Sequence, residues 1–414
     1  MIHFEKFTLK NGLRVIYHHD SKTPVTAINI LYDVGARDED PDRTGFAHLF
    51  EHLMFGGSEN IPSYDEPLEA AGGDNNAFTN NDITNYYLTI PTQNVETGFW
   101  LESDRMLNLA FTPKSLEVQR QVVIEEFKQR YLNQPYGEAW LELRPLAYKV
   151  HPYQWATIGK EIKHIEEATM PDVKDFFKRF YNPNNAIMCV AGNLKIDEVK
   201  SLCEKWFSPI EPGPVHKRSL PAEPPQTEPR RKELVQNVPQ QAIYMAFHMC
   251  NRRSPEFYAV DLLSDILSMG ESARLHQNLV KEKKIFTEMD AYVTGDLDNG
   301  LLVFQGKFND EITPEQAEKA IWDEIRDFKN SSISNEELKK VKNKVESSLR
   351  FGELSVLNKA MALCMAELLE DAELVNTEFA RYEKVKQEDI INQARKILVE
   401  NNCSTLIYRK SAKQ

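Results

Sequence analysis

Two histidines and a glutamate near the start of the chain have a spacing that suits metal chemistry: His48, Glu51 and His52. On an α-helix, residues three and four positions apart share a face, so these three side chains point the same way. Two imidazoles one turn apart can bind a single Zn²⁺ ion, which takes a third protein ligand and keeps one position for water. Glu51 could then remove a proton from that water, whose pKa the metal lowers to about 7. The spacing therefore predicts a hydrolytic zinc site.

A purely structural role for these residues is the alternative interpretation, with two satisfied core histidines beside a glutamate. For a single histidine that role would be favoured. The five-residue pattern H-x-x-E-H arises by chance in a chain of this composition only about two times in a hundred, which favours the metal interpretation.

The residues around the motif predict the helix that must carry it. An apolar stripe recurs with helical period at Phe46, Leu49, Phe50, Leu53 and Met54. Thr44 is the expected N-cap, and Gly56-Gly57 is the expected end of the helix. The stripe should face the core, and the polar triplet lies roughly opposite, where buried polar groups need partners.

The H-x-x-E-H order and its surroundings resemble the pitrilysin or insulinase family of zinc peptidases, also called inverzincins. In that family the third ligand is a glutamate from a later helix. Glu126, which lies 74 residues after His52, holds the matching position. Glu125 is the nearest competitor, but on a helix it points about 100° away from the face of Gln119 and Val122 that Glu126 continues. Glu126 is therefore the predicted ligand.

The same resemblance implies a zinc-dependent metalloendopeptidase. Zn²⁺ would be held by His48, His52 and Glu126, while Glu51 would act as base and then as proton donor to the leaving amine. The expected substrates are extended oligopeptides or unfolded segments, because the family encloses its site in a cavity that folded proteins cannot enter. The alternative is a non-proteolytic subunit that binds peptides or scaffolds a complex. Such relatives typically lose metal ligands, whereas all three remain here.

A second segment, Gly72 to Thr79, precedes the strand-like residues Thr84 to Ile90. The resemblance places an edge strand here whose Asn-Ala segment holds the substrate backbone. An edge offers unpaired N–H and C=O groups that can fix any extended peptide. A plain hairpin, rich in asparagine for turn geometry, is the alternative. The substrate-binding residues that the resemblance implies are Asn76, Ala77, Phe78 and Thr79.

Length and composition indicate two sizeable domains, since the chain has 414 residues and 41% hydrophobic content. A segment with seven prolines separates them and is the predicted linker. The expected fold class is α+β, with two homologous domains that each pack a mainly antiparallel sheet with helices. The predicted boundaries are 1–207 for the zinc-binding domain, 208–229 for the linker and 230–414 for the second domain.

The second half repeats the pattern of the zinc helix. Residues Ser254 to Gly270 show the same apolar rhythm. A shift of 213 residues places Asp261, Ser264 and Asp265 at the positions of the three motif residues. A chance match between two amphipathic helices is the alternative. The family resemblance favours a duplicated domain that has lost the metal.

Two departures from the family pattern bear on partners. The second-half domain of active assemblies usually supplies an Arg and a Tyr, seven residues apart, near the zinc. Val280 and Thr287 stand there instead, and neither can stabilise a developing oxyanion. Gln119 stands where the family often has a glutamate, and it lacks the charge to support the ligands. We therefore expect a second pitrilysin-like subunit to supply the Arg/Tyr pair, with a homodimer as the alternative.

Charge and cysteine usage exclude other classes. The formal net charge of −13 disfavours nucleic acid as a partner. The sequence has no run of 18 apolar residues, so we predict no transmembrane helix. A strand-like pattern begins at once, which leaves no room for a signal peptide if Met1 is the natural start. The five scattered cysteines predict free thiols in a reducing cytoplasm.

Overall fold

The structure, a computed structural model, describes residues 1–215 and 217–411 and contains two sheets packed with helices. The strands are β1 Glu5–Thr8, β2 Arg14–His19, β3 Val25–Tyr32, β4 Asp74–Thr79, β5 Thr84–Pro91, β6 Ala186–Gly192, β7 Arg230–Gln236, β8 Gln241–His248, β9 Phe286–Val293, β10 Leu301–Phe308 and β11 Cys403–Lys410. The helices are α1 Phe46–Leu53, α2 Asp65–Ala70, α3 Val95–Leu107, α4 Pro113–Phe127, α5 Ala139–Ala147, α6 Ile162–Glu166, α7 Met170–Phe180, α8 Ile196–Trp206, α9 Phe257–Ser268, α10 Pro314–Asn330, α11 Asn335–Gly352, α12 Val356–Leu369, α13 Leu374–Lys384 and α14 Gln387–Ile397. The α+β class predicted from the sequence is confirmed.

The first sheet has the strand order β1-β2-β6-β3-β5-β4. Only the β2–β6 pair is parallel, and the other neighbours are antiparallel. The prediction of a mainly antiparallel sheet is therefore confirmed. Strand β4 lies at one edge, so one side of its backbone has no neighbouring strand in this sheet.

The second sheet has the order β7-β11-β8-β10-β9, with a single parallel pair between β7 and β11. This order and these strand directions repeat those of β2-β6-β3-β5-β4 in the first sheet. Helix α9 follows β8 as α1 follows β3, and it lies within the predicted range Ser254 to Gly270. The shared topology supports the interpretation that the second half is a duplicated domain.

The chain forms two compact units, and each unit is built from three separate stretches of the sequence. The first unit comprises residues 1–128, 155–220 and 349–377. The second comprises residues 129–154, 221–348 and the C-terminal residues from Glu378 on. Helix α12 joins the first unit because its apolar face, with Ala360 and Leu363, packs in one core with Ile187 of β6. The predicted domain boundaries at residues 207 and 230 stay a prediction about where the duplicated halves of the sequence meet. The compact units do not follow these boundaries, because each unit contains residues from both halves of the chain.

The described residues 208–215 and 217–220 of the predicted linker belong to the first unit. Asn11 donates a hydrogen bond to the backbone carbonyl of Ile210, and Arg218 binds the carboxylates of Asp33 and Asp38. Prolines restrict the backbone between these contacts. This part of the linker is therefore anchored to the first unit at both ends.

The cysteines and the helices bear on two further predictions. All five cysteines are free thiols, of which Cys250 is half-buried and the others are buried. Within the described residues, every helix is too short or too polar to cross a lipid bilayer. The location of the protein stays a prediction.

A buried arginine holds together the aromatic core beside the first sheet, and its removal should be costly. Arg105 is 2% exposed, donates two hydrogen bonds to Glu102, and lies 4.5 Å from the ring centroids of Tyr64 and Tyr86. Arg105→Leu would leave the Glu102 carboxylate buried without its counter-charge. We expect the free energy of unfolding of the first unit to fall by about 3–5 kcal/mol, measured by urea denaturation.

The matched control is Arg43→Leu, which breaks the ion pair with Asp172 at a side chain that is 57% exposed. Exposed ion pairs contribute only about 0–1 kcal/mol, so this variant should unfold close to the wild type. Equal losses for the two variants would contradict the structural role given to Arg105.

Candidate metal centre

Helix α1 carries the H-x-x-E-H motif on its accessible face. The predicted apolar stripe is buried, and Phe50 stacks on Phe176 with ring centroids 4.9 Å apart. His48, Glu51 and His52 lie on the other side and are partly exposed. Because the apolar stripe is buried in the core, the three polar side chains project together from the opposite, partly exposed face of the helix.

The start of α1 differs from the prediction by one residue. The N-cap is Gly45, with φ of +90°, and not Thr44. A Cβ atom at position 45 would lie 2.7 Å from the carbonyl oxygen of Ile158, so only glycine fits there. The Thr44 hydroxyl is used elsewhere, since it contacts His164 Nδ1 at 2.8 Å and accepts from the Lys160 N–H at 2.8 Å. Packing against another segment therefore overrode the local capping preference.

The structure brings the three predicted metal ligands together. Glu126 Oε2 lies 3.7 Å from His48 Nε2 and 3.3 Å from His52 Nε2. One ligand atom from each residue lies within 4.8 Å of the other two. A tetrahedral zinc ion with bonds of about 2.0–2.1 Å separates its ligand atoms by about 3.3–3.4 Å. Two imidazoles and one carboxylate are also a donor set that zinc prefers, so the residues fit the ion and leave one position open.

Helix α4 selects between the two neighbouring glutamates. Glu126 is 16% exposed at its side chain and faces the histidines. Glu125 points to solvent, is 56% exposed, and pairs with Lys128 at 2.7 Å. Gln119, two turns before Glu126, lies beside Gly56, whose added Cβ would be 3.9 Å from the Gln119 amide nitrogen. Only one of the two glutamates can therefore reach the cluster.

Glu51 lies between the histidines and the edge strand. Thr79 of strand β4 lies close enough to the Glu51 carboxylate to affect its pKa. Burial raises the pKa of Glu51 above its ordinary value, while Thr79 and the nearby His52 favour the charged form and oppose that rise. The contact places β4 directly beside the carboxylate that was predicted to act as a base.

Strand β4 has the edge position predicted for the substrate strand. It pairs only with β5, and Ala77 lies opposite Tyr86. Exposure alternates along it, with Asn76 and Phe78 exposed and Ala77 and Thr79 partly buried. The Ala77 N–H donates to Asn76 Oδ1 at 2.8 Å. The four residues are thus together at an open sheet edge, and their binding of substrate stays a prediction.

The two departures from the family pattern take part in packing within the second unit. Val280 lies in a π-helical segment, His276–Glu282, and packs against the core. Thr287 is in β9, where its hydroxyl donates to Gln240 Oε1 at 3.0 Å. Neither side chain supplies a cation or a phenol.

The motif positions of α9 are also used within the second unit. The Tyr382 hydroxyl donates to Asp261 Oδ2 at 2.6 Å. Burial raises the pKa of Asp265 to about 7, and the neighbouring Asp261 adds to that rise. The counterpart of helix α1 therefore carries two partly buried carboxylates in place of the imidazoles.

Glu39 is a residue near the site that sequence reasoning missed. It is 5% exposed, and its carboxylate oxygens accept from the N–H groups of Gly45 at 2.9 Å and Ala47 at 2.8 Å. Acidic side chains favour helix N-termini, which is a sequence signal. Glu39 precedes the N-cap by six residues, however, whereas capping side chains normally come from the N-cap residue itself. Its acidic side chain therefore did not stand out as a cap.

Comparison with known families gives two matches that together span most of the chain. The profile described as Insulinase (Peptidase family M16) matches residues 14–145. The profile described as Peptidase M16 inactive domain matches residues 167–345. The first match covers both motif histidines and Glu126.

Individual relatives agree with these matches. The chain is 30% identical over 347 residues to "Zinc protease PqqE" of Helicobacter pylori, covering 82% of this chain and 77% of the relative. It is 26% identical over 313 residues to "Probable mitochondrial-processing peptidase subunit beta" of Schizosaccharomyces pombe, covering 72% of this chain and 67% of that one. A crystal structure of a protease from Helicobacter pylori superimposes with a TM-score of 0.92 at 26% identity, covering 99% of this chain and 100% of the other.

Proposed function

The chain belongs to the insulinase family of peptidases, family M16, and from that premise we propose that it is a zinc-dependent endopeptidase acting on extended or unfolded peptides. One observation carries the proposal. Two imidazole nitrogens and one carboxylate oxygen converge on a volume that suits a single Zn²⁺ ion. A second carboxylate, Glu51, stands on the same helix face with its own partner in Thr79.

His48, His52 and Glu126 would hold the ion, which supplies Lewis-acid activation of a water molecule and of the scissile carbonyl when bound. Glu51 takes a proton from the attacking water and later delivers it to the amine nitrogen of the leaving group. Thr79 lies beside the Glu51 carboxylate and favours its charged form, which is the form that accepts the proton. No protein nucleophile is needed, so the peptide bond is hydrolysed without a covalent intermediate.

Strand β4 would bind the peptide by strand addition. Its outer edge carries main-chain groups that recognise any extended backbone, whatever the side chains. Asn76, Ala77, Phe78 and Thr79 form this edge, and Thr79 contacts Glu51. A peptide paired with the edge would therefore pass in front of the catalytic carboxylate, which accounts for a preference for unfolded segments.

The substitutions at Val280 and Thr287 support a division of labour between subunits. A partner of the same family would bring the guanidinium and phenol that stabilise the developing oxyanion. The name of the Schizosaccharomyces pombe relative describes it as a beta subunit. We propose the same kind of pairing for this chain, with a homodimer as the alternative.

The experiment that tests this function is peptide cleavage by the zinc-loaded chain, alone and mixed with a second family member that carries the Arg/Tyr pair. We expect internal cleavage of unfolded peptides, at least about tenfold faster in the mixture, because one lost oxyanion donor costs about 10²–10³ in rate. Mass spectrometry of the products reports the cleavage sites.

Two controls accompany the assay. Removal of metal with 1,10-phenanthroline should stop cleavage, and added Zn²⁺ should restore it. A folded protein should stay intact in the same tube. Cleavage that persists without metal would refute the zinc peptidase, whereas equal rates with and without the partner would refute only the division of labour.

A further inference from the structure

We propose that Glu39 is a positioning residue of the metal centre, because its carboxylate holds the first turn of the helix that carries His48, Glu51 and His52. The metal-binding consequence rests on the proposed function. The effect on the helix itself does not, since it concerns contacts that are present without metal. The two parts can therefore be tested separately.

The first turn of α1 lacks a conventional cap. The first N–H groups of any helix have no partner within the helix, and a side chain at the N-cap usually binds one of them. Here the N-cap is Gly45, which has no side chain. Both oxygens of the Glu39 carboxylate fill that role, one accepting from the Gly45 N–H and the other from the Ala47 N–H. Both hydrogen bonds are buried, so water cannot replace them.

The loop that presents Glu39 is itself held in place. Trp155 Nε1 donates to the backbone carbonyl of Ala36 at 2.8 Å. Arg218 Nε donates to the buried carboxylate of Asp38 at 2.7 Å. These contacts hold Glu39 in a fixed position. Glu39 in turn fixes the N-terminus of α1 relative to the rest of the first unit.

The contact lies next to the metal ligands in the chain. Ala47 directly precedes His48, so a displaced first turn would move the His48 imidazole relative to His52 and Glu126. The spacing of the three ligand atoms leaves little tolerance, since a zinc ion needs all of its bonds near 2.0–2.1 Å, to within about 0.2 Å. Partners that orient metal ligands are typically worth about 10–100-fold in metal affinity.

The acceptor oxygens, more than the net charge, are what the proposal requires. Burial raises the pKa of Glu39 to about 8, while the Gly45 and Ala47 N–H bonds favour the charged form. Glu39→Leu removes both acceptors with a side chain of similar size. Glu39→Gln retains one carbonyl oxygen and should rescue part of the effect.

The test uses the full chain and has two measurements. Hydrogen–deuterium exchange of the metal-free protein, read by mass spectrometry over residues 45–53, reports the order of α1. Competition with a chromogenic chelator reports zinc affinity. We expect exchange at least about tenfold faster in Glu39→Leu, a zinc Kd raised about 10–100-fold, and intermediate values for Glu39→Gln.

The matched control is Asn11→Ala, which removes buried hydrogen bonds to the carbonyls of Phe207 and Ile210 in the same compact unit. It should lower the Tm without changing exchange in α1 or zinc affinity. A merely structural role for Glu39 would make the control and Glu39→Leu behave alike, which overturns the proposal.

Wild-type exchange over residues 45–53 in Glu39→Leu would also overturn it. Should Glu39→Leu fail to fold, Glu39→Gln decides, and unchanged exchange in that variant rejects the positioning role. A wild-type chain that binds no zinc would refute the proposed function, while the exchange measurement would still decide the role of Glu39.

Discussion

Glu51→Gln is expected to leave zinc bound and to lower kcat on unfolded peptides by about 10²–10⁴-fold. The amide has nearly the same size and shape as the carboxylate and would lie beside Thr79 in the same way, so the side chain should keep its place. An amide cannot take up and release a proton near neutral pH, however. The measurements are steady-state kinetics on a peptide substrate and the zinc content after dialysis.

Glu125→Gln is the control for this prediction, because it makes the same chemical change at an exposed carboxylate that pairs with Lys128. It should retain wild-type turnover. Substantial activity in Glu51→Gln at full zinc occupancy would remove Glu51 from the mechanism without disturbing the metal assignment.

Glu126→Ala is expected to weaken zinc binding by more than about a hundredfold, beyond the 10–100-fold of an orienting partner, since it removes one of three predicted protein ligands. In the wild type, the Glu126 carboxylate lies 3.7 Å from His48 Nε2 and 3.3 Å from His52 Nε2. Turnover should fall with zinc occupancy. Metal analysis after dialysis against a chelator measures the loss.

Glu125→Ala separates the two adjacent glutamates. Its side chain lies on the solvent side of α4, so zinc content should stay at the wild-type level. The opposite outcome, with zinc lost in Glu125→Ala and kept in Glu126→Ala, would show that the helix turns its other face to the histidines in solution. Loss in neither variant would reject a third ligand from α4.

Local periodicity made a large part of the site predictable. The spacing of His48, Glu51 and His52 and the apolar stripe beside them depend only on the geometry of one helix, and α1 has both features. The edge position of Asn76 to Thr79 and the third glutamate came from the family resemblance; the structure has β4 at the edge of the first sheet and Glu126 beside the two histidines. The α+β class followed from the same resemblance and from the length of the chain.

Features that depend on packing between distant segments were not predictable. Thr44 has the residue type of a cap, yet the backbone of Ile158 approaches so closely that Gly45 must begin the helix. Helix α12 lies far along the chain but joins the first unit because its apolar face completes that core. Neither contact can be predicted from the residues next to it in the sequence.

The sequence alone predicted that His48, Glu51 and His52 share one helix face and could bind a metal and move a proton, because three- and four-residue spacing on a helix is a local property. Only the tertiary structure decided how the helix is held, through Glu39 acting across a six-residue gap and Thr79 acting from the edge strand. It also decided how closely Glu126 approaches the histidines, with its carboxylate 3.7 Å from His48 Nε2 and 3.3 Å from His52 Nε2. Hydrogen bonds between separate segments depend on where the whole chain places them, and no local pattern encodes that placement.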